Sequence, residues 1–279
     1  MTADASAGTA VADARFDFGG NWRRFLDVLD EPRIVAAQES LTELVGDVAG
    51  KSFVDVGSGS GLASLAAIRL GARRVHSFDY DRGSVACTAE VKRRYAADAQ
   101  QWTVEHGDAL DTRYLGRLGR FDVVYSWGVL HHTGQMWHAL DNVTALVEPE
   151  GLLALALYRD EGFESRMWLR VKRAYNRGRL GKAAVVGTFV PAFVLRSAFR
   201  DAARRRNPLA TYSEYERQRG MSMFRDWLDW LGGLPFEVTS EENVVSFFRE
   251  RGLECVRVNE GGGSVRNSEY VFRTLPTPY

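Results

Sequence analysis

The chain has 279 residues, 45% of them hydrophobic and 26% charged, and its 36 basic residues are matched by 36 acidic ones. That balance excludes a fibrous or disordered chain, and zero net charge leaves no overall basic footprint of the kind that grips nucleic acid. The two cysteines, Cys87 and Cys255, stand far apart and outside any CxxC spacing, so they read as core thiols rather than a disulfide framework or a metal site.

Residues 1–14, "MTADASAGTAVADA", are small and polar with neither a basic start nor an apolar h-region. They read as a tail and not as a signal peptide, which places the chain in the cytoplasm. Residues 15–49 read as a helical segment whose "FDFGGNWRRF" concentrates Phe16, Phe18, Trp22 and Phe25, either as a lid over a site or as a stripe covering a sheet edge.

From residue 50 the apolar periodicity alternates between strand and helix. "KSFVDVG" is a strand, "SGLASLAAIRLG" a helix, "RRVHSFDYD" a strand, "RGSVACTAEVKRRYAA" a helix, and "QWTVEH" and "LGRFDVVYSWG" are strands. "QMWHALDNVTALV" is a helix and "GLLALALY" a strand of near-continuous apolar character. Apolar runs of this kind imply an α/β fold with a doubly wound parallel sheet covered on both faces. The rhythm stops over residues 161–235 and resumes over 236–279 with the helix "TSEENVVSFFRERG", where Thr239 and Glu242 have capping-box spacing, and two last strands, "GLECVRVNE" and "SEYVFRTL".

The turn "DVGSGSG" joins the first strand to the first helix. Glycines at such a turn let backbone N–H groups and a helix N-terminus approach a ligand, at the place where doubly wound sheets bind nucleotides. Gly57, Gly59 and Gly61 form GxGxG, whereas a dinucleotide fingerprint needs its third glycine where this chain has Leu62. Hydride chemistry is thereby disfavoured. Asp79 ends the second strand, placed to accept hydrogen bonds from two ribose hydroxyls with Tyr80 beside it to pack on a base, and Asp108 follows the third strand, placed to accept from an exocyclic amine.

On these residues the chain resembles the class I S-adenosylmethionine-dependent methyltransferases, over roughly residues 50–160 plus the last helix and two strands. The resemblance implies a Rossmann-like seven-stranded sheet, mostly parallel with one antiparallel strand, carrying a helical insertion after the fifth strand. It implies S-adenosylmethionine held by Asp55, Gly57, Gly59, Gly61, Asp79, Tyr80, Asp108 and its neighbour Ala109, with Ser126 at the fourth strand's end and Trp22 as a lid contact. "YSWGVLHHTGQMWHAL", "RMWLRVKRAYN" and "RGMSMFRDWLDWLGGLPFEV" are similar to a bacterial subgroup of small-molecule methyltransferases associated with glycan or natural-product pathways. That subgroup usually carries Asn where this chain has Arg159.

Methyl transfer to a hydroxyl needs alignment, exclusion of water and a base. His131 and His132 in "VLHHTG" follow the fourth strand, and adjacent residues rarely face one cavity, so one is expected to be the base and the other structural. Both serving only as helix-start histidines is the competing reading. Asp160 after the fifth strand is placed to orient an imidazole or to be a solvated loop acid. No metal site is expected, and the absence of a (D/N)PPY turn at "YSWG" disfavours methylation of nucleic-acid bases. A hydroxyl of a sugar or natural-product scaffold is the expected acceptor. Transfer to carbon, with or without cyclisation, and a non-catalytic binding protein of the same fold are the alternatives.

Residues 159–219 hold fifteen Lys or Arg against six Asp or Glu. Within them "AAVVGTFVPAFVLRSAF" is too broken by Gly187, Pro191 and Arg196 to span a bilayer. A helical cover or oligomer contact is one reading, and a membrane surface or an anionic, lipid-linked substrate is the other.

Overall fold

A computed structural model describes residues 26, 27, 29–205, 207, 223–260 and 267–275. The expectations for the tail and for Phe16, Phe18, Trp22 and Phe25 lie outside the described residues. The described chain falls into two compact units, one drawn from Phe18–Asp160 and Glu237–Tyr279, the other from Glu161–Phe236.

The first unit opens with α1 (Glu31–Val45), whose N-cap Asp30 accepts from the Arg33 N–H. There follow β1 (Ser52–Val56), α2 (Leu62–Arg69), β2 (Arg74–Asp79), α3 (Arg82–Tyr95), β3 (Trp102–His106), α4 (Thr112–Leu118), β4 (Phe121–Trp127), α5 (Met136–Thr144) and β5 (Val147–Tyr158). The sequence pattern had no place for α4, a two-turn helix that Asp111 caps through the N–H groups of Arg113 and Tyr114. Seven residues are too few to establish an apolar period, so only the cap marks it.

After the second unit come α9 (Glu241–Arg249), β6 (Leu253–Glu260) and β7 (Asn267–Thr274). The sheet order is β3-β2-β1-β4-β5-β7-β6. β7 runs antiparallel to both β5 and β6, and the other strand pairs are parallel. This is the expected seven-stranded doubly wound sheet with one antiparallel strand. β1 is buried along its whole length, and Phe53, Val54 and Val56 are sealed between helices on both faces, which is why it reads as an unbroken apolar run. Chain order reverses between β1 and β4, and the crevice at their C-terminal ends is where such sheets bind ligands.

The cap of α9 is Ser240, which accepts from the Asn243 N–H, and not Thr239. Thr239 is held one residue earlier by the sheet, its N–H donating to the Tyr158 carbonyl while its own carbonyl accepts from the Asp160 N–H. A residue in extended pairing cannot also start the helix.

The second unit contains α6 (Phe163–Tyr175), α7 (Arg179–Ala203) and α8 (Met223–Gly232). Trp168, Tyr175, Val185, Val190, Phe193, Trp227 and Leu231 pack into one apolar cluster. Trp168 and Trp230 meet edge to face at 4.0 Å. Lys172 is almost wholly buried here, its ammonium donating to the Trp230 carbonyl and lying over the Trp230 and Phe236 rings, and burial pushes its pKa down to about 7. Gly187 and Pro191 do not interrupt α7, contrary to the sequence expectation: the helix is continuous for 25 residues. Both residues are on its exposed side, so the Gly187 carbonyl, deprived of a donor by Pro191, is on the side open to solvent.

Candidate functional site

The C-terminal ends of β1 to β5 bring the predicted residues to one edge of the sheet. Gly57, Gly59 and Gly61 all have positive φ, at 78°, 53° and 78°, a region open to glycine without strain. The turn is tied down from below. The Gly57 and Ser58 N–H groups donate to the Phe78 carbonyl at 2.9 and 3.0 Å, and the Thr88 hydroxyl donates to the Gly59 carbonyl at 3.2 Å.

A methyl group built on Gly57 would stand 2.4 Å from Val129, and one on Gly61 would stand 2.8 Å from Thr88. These two glycines therefore admit the protein's own side chains. They let the turn sink against Val129 and Thr88. Thr88 and Val129 were themselves missed, because nothing in their local pattern distinguishes them from other helix and loop residues.

Asp79 closes the other side of the turn. Its Oδ2 accepts from the Gly59 N–H at 3.0 Å and its Oδ1 from the Asp81 N–H at 2.8 Å. Burial raises its carboxyl to about 6 against these two opposing donors. Tyr80 is exposed, its ring 6.0 Å from that of His106. Asp108 is half-buried beyond β3, with Oδ1 accepting from the Leu110 N–H at 2.9 Å. Ala109 is buried, and its carbonyl accepts from Asn142 Nδ2 at 2.9 Å. Asn142 was also missed, although a lone amide on the otherwise apolar face of α5 is a legible signal.

Two predicted contacts have inward roles. Asp55 is 2% exposed, and its Oδ2 accepts from the Ser64 hydroxyl at 2.6 Å. Ser64 and Ser77 share a 2.6 Å hydrogen bond and Trp102 Nε1 donates to Ser77 at 2.7 Å, so a chain of donors runs from β3 to the carboxylate. Burial raises Asp55 to about 7. It stiffens β1, β2 and α2 beneath the glycine turn, as a positioning residue. Ser126 is likewise buried, its hydroxyl donating to the Val56 carbonyl at 3.0 Å and clamping β4 to β1.

The two histidines lie in a single 3-10 turn, Leu130–His132. His131 is fully buried, Nδ1 accepting the Tyr158 N–H at 3.3 Å and its ring packed 3.9 Å from that of Tyr158. Its carbonyl accepts from the Glu237 N–H, and the Glu237 carboxylate accepts from the Met136 N–H at the start of α5. His131 thus pins the turn to β5. His132 is half-buried, edge-on to Tyr158 at 5.4 Å. Asp160 has an exposed side chain, and its N–H donates to the Thr239 carbonyl. An exposed carboxylate is screened by water, so it orients a neighbour more weakly than a buried one.

The edge fits an adenosyl ligand by its donors and acceptors. α2 starts on a left-handed glycine with no side-chain cap, a carboxylate with two anchoring N–H donors ends β2, and a second carboxylate follows β3.

Comparison with known proteins agrees with this edge. A methyltransferase domain model matches residues 54–153. A ribosomal protein L11 methyltransferase of Alteromonas mediterranea is 50% identical over 48 residues, 17% of this chain and only 16% of that protein's length. Magnesium protoporphyrin IX methyltransferase from Synechocystis PCC 6803, solved with SAH bound, superposes with a TM-score of 0.55 at 14% identity, over 91% of this chain and 93% of that one. An O-methyltransferase family protein from Burkholderia thailandensis superposes with a TM-score of 0.51 at 12% identity, over 89% of this chain and 57% of that one. With the matched domain spanning β1 to β5 and the sheet order around it, the chain carries a methyltransferase domain within the fold of the class I S-adenosylmethionine-dependent methyltransferases.

Proposed function

We propose that this protein transfers a methyl group from S-adenosylmethionine to a hydroxyl of a small molecule, a sugar or natural-product scaffold, with His132 as the general base. One observation carries the cofactor half of the reading: the Asp79 carboxylate meets a left-handed glycine turn at the sheet's switch point. Bound S-adenosylmethionine supplies an electrophilic methyl group on a sulfonium.

The chain's own residues have three tasks. Asp79 accepts from the ribose hydroxyls and Asp108 from the adenine amine, while Gly59 keeps its N–H on Asp79 so that carboxylate and turn stay in register. Asp55 and Ser126 hold the strands beneath them. His132 takes the proton as the acceptor oxygen attacks, and Tyr158 and His131 fix the turn that carries it. Asp160 supports the resulting imidazolium through a screened field.

The oxygen-directed part follows from the histidine turn at the end of β4, because transfer to a carbon nucleophile makes less use of a base there. The test is transfer of labelled methyl from S-adenosylmethionine to a panel of hydroxylated sugars and glycosides. His132→Ala should lower kcat about 10²- to 10⁴-fold while cofactor affinity stays within about twofold of wild type. Product methylated on carbon, or an unchanged rate in His132→Ala, overturns the oxygen-directed reading. Failure of the folded wild type to bind S-adenosylmethionine overturns the whole of it.

A further inference from the structure

α7 is the one helix among the described residues that is long and apolar enough to cross a membrane. Two faces of it are apolar. The first, with Val185, Val190 and Phe193, packs in the cluster of the second unit. The second faces outward: Leu180, Ala184, Pro191, Leu195 and Phe199 recur at helical spacing along one stripe, and Leu180, Leu195 and Phe199 are 87%, 69% and 77% exposed. An outward stripe of this length on a water-facing helix is unusual enough to ask what covers it.

Charge selects among the answers. Arg196 is exposed beside the Phe199 edge of the stripe, Arg200, Arg204 and Arg205 are exposed around its C-terminal end, and the helix's one acid, Asp201, is buried. A second copy docking on this face would cover the apolar stripe but leave these cations without a partner, because neither helix has an exposed acid. An anionic lipid surface meets both features, with apolar side chains entering the acyl boundary and guanidinium groups reaching phosphates.

Spanning is a poorer fit. It would expose the packed face, including the buried Asp201, to hydrocarbon, and the Gly187 carbonyl freed by Pro191 would lose access to water. At an interface that carbonyl stays hydrated. We infer that α7 lies in the plane of an anionic bilayer surface, its Leu180–Phe199 stripe inserted and its C-terminal arginines on lipid phosphates, making this a peripheral membrane protein.

Flotation of the full chain with vesicles tests this, using phosphatidylcholine alone and phosphatidylcholine mixed with phosphatidylglycerol. The chain should float with the mixed vesicles at low salt and bind the neutral ones far less. Leu195→Ser with Phe199→Ser should weaken binding about tenfold or more, and Arg196→Gln with Arg200→Gln about thirtyfold. Both variants alter only exposed positions, so circular dichroism and S-adenosylmethionine affinity should match the wild type. No flotation with mixed vesicles, or equal flotation of the Leu195→Ser, Phe199→Ser variant, overturns the inference. So does a vesicle-free dimer, seen by sedimentation, that this variant abolishes, because the stripe would then belong to a second copy.

Discussion

Lowering the pH through the titration of Asp79 is the sharpest probe of the cofactor edge. Its carboxyl is raised from the ordinary 3.8 to about 6, with burial as the largest cause, so the ionised form is the disfavoured one in the ligand-free fold. The shift is a penalty of about 3 kcal/mol on the ionised form relative to water, yet at pH 7 the carboxylate still predominates and at pH 5 it is the minor form. Ribose hydroxyls donate to the ionised carboxylate, so binding draws on the deprotonated population. The apparent affinity for S-adenosylmethionine should therefore fall about tenfold between pH 7 and pH 5, with a proton released on binding in the acid half of that range. Calorimetry in buffers of different ionisation heats reads both quantities. Asp79→Asn should flatten the pH profile and weaken binding at pH 7 about a hundredfold, since charge-assisted hydrogen bonds of about 1.5–3 kcal/mol are lost and the Asn amide competes with the Gly59 N–H. A flat wild-type profile, or wild-type affinity in Asp79→Asn, refutes the assignment of Asp79 to the ribose.

Gly57→Ala combines a positive φ with a methyl group 2.4 Å from Val129, and should cost about 2–4 kcal/mol in urea denaturation and abolish cofactor binding. Ser64→Ala removes the donor to a buried carboxylate, at a cost of about 1–3 kcal/mol. Because Asp55 is raised to about 7 from 3.8, its contribution to stability is lost as pH rises through 7, and the Ser64→Ala deficit should be larger at pH 8.5 than at pH 5. Lys172→Met removes a buried amine whose pKa is lowered from 10.5 to about 7, so wild-type stability of the second unit should rise with pH between those values. At pH 7 the variant should be more stable by about 1–3 kcal/mol, read by tryptophan fluorescence, with the gap closing toward pH 10; parallel pH curves would count against a buried amine.

The strand and helix alternation, the seven-stranded sheet and the glycine turn were legible because each is a local pattern: buried parallel strands are apolar on both sides, and a left-handed turn needs glycine. Inward roles were not. Asp55 and Ser126 occupy positions that a cofactor contact would also occupy in the sequence, and only the Ser64 and Val56 partners, one brought in by α2 and one by the neighbouring strand, reveal which way they face. The same limit applied to the histidines: sequence placed two imidazoles at one strand end, and it took the Tyr158 N–H on His131 Nδ1 to separate the anchor from the candidate base.

The unbroken length of the long helix has a different origin. Gly187 and Pro191 are strong local breakers, yet the chain from Arg179 to Ala203 stays helical because neither sits on the packed face. Val185, Val190, Phe193 and Ser197 supply the tertiary contacts that override propensity, while the missing N–H of Pro191 frees a carbonyl on the exposed side, where a polar environment can satisfy it. Gly187 and Pro191, which argue in the sequence against a bilayer span, therefore bear in the fold on the helix's surroundings. The freed Gly187 carbonyl must stay hydrated, which bulk water or a lipid headgroup boundary allows and a bilayer core does not.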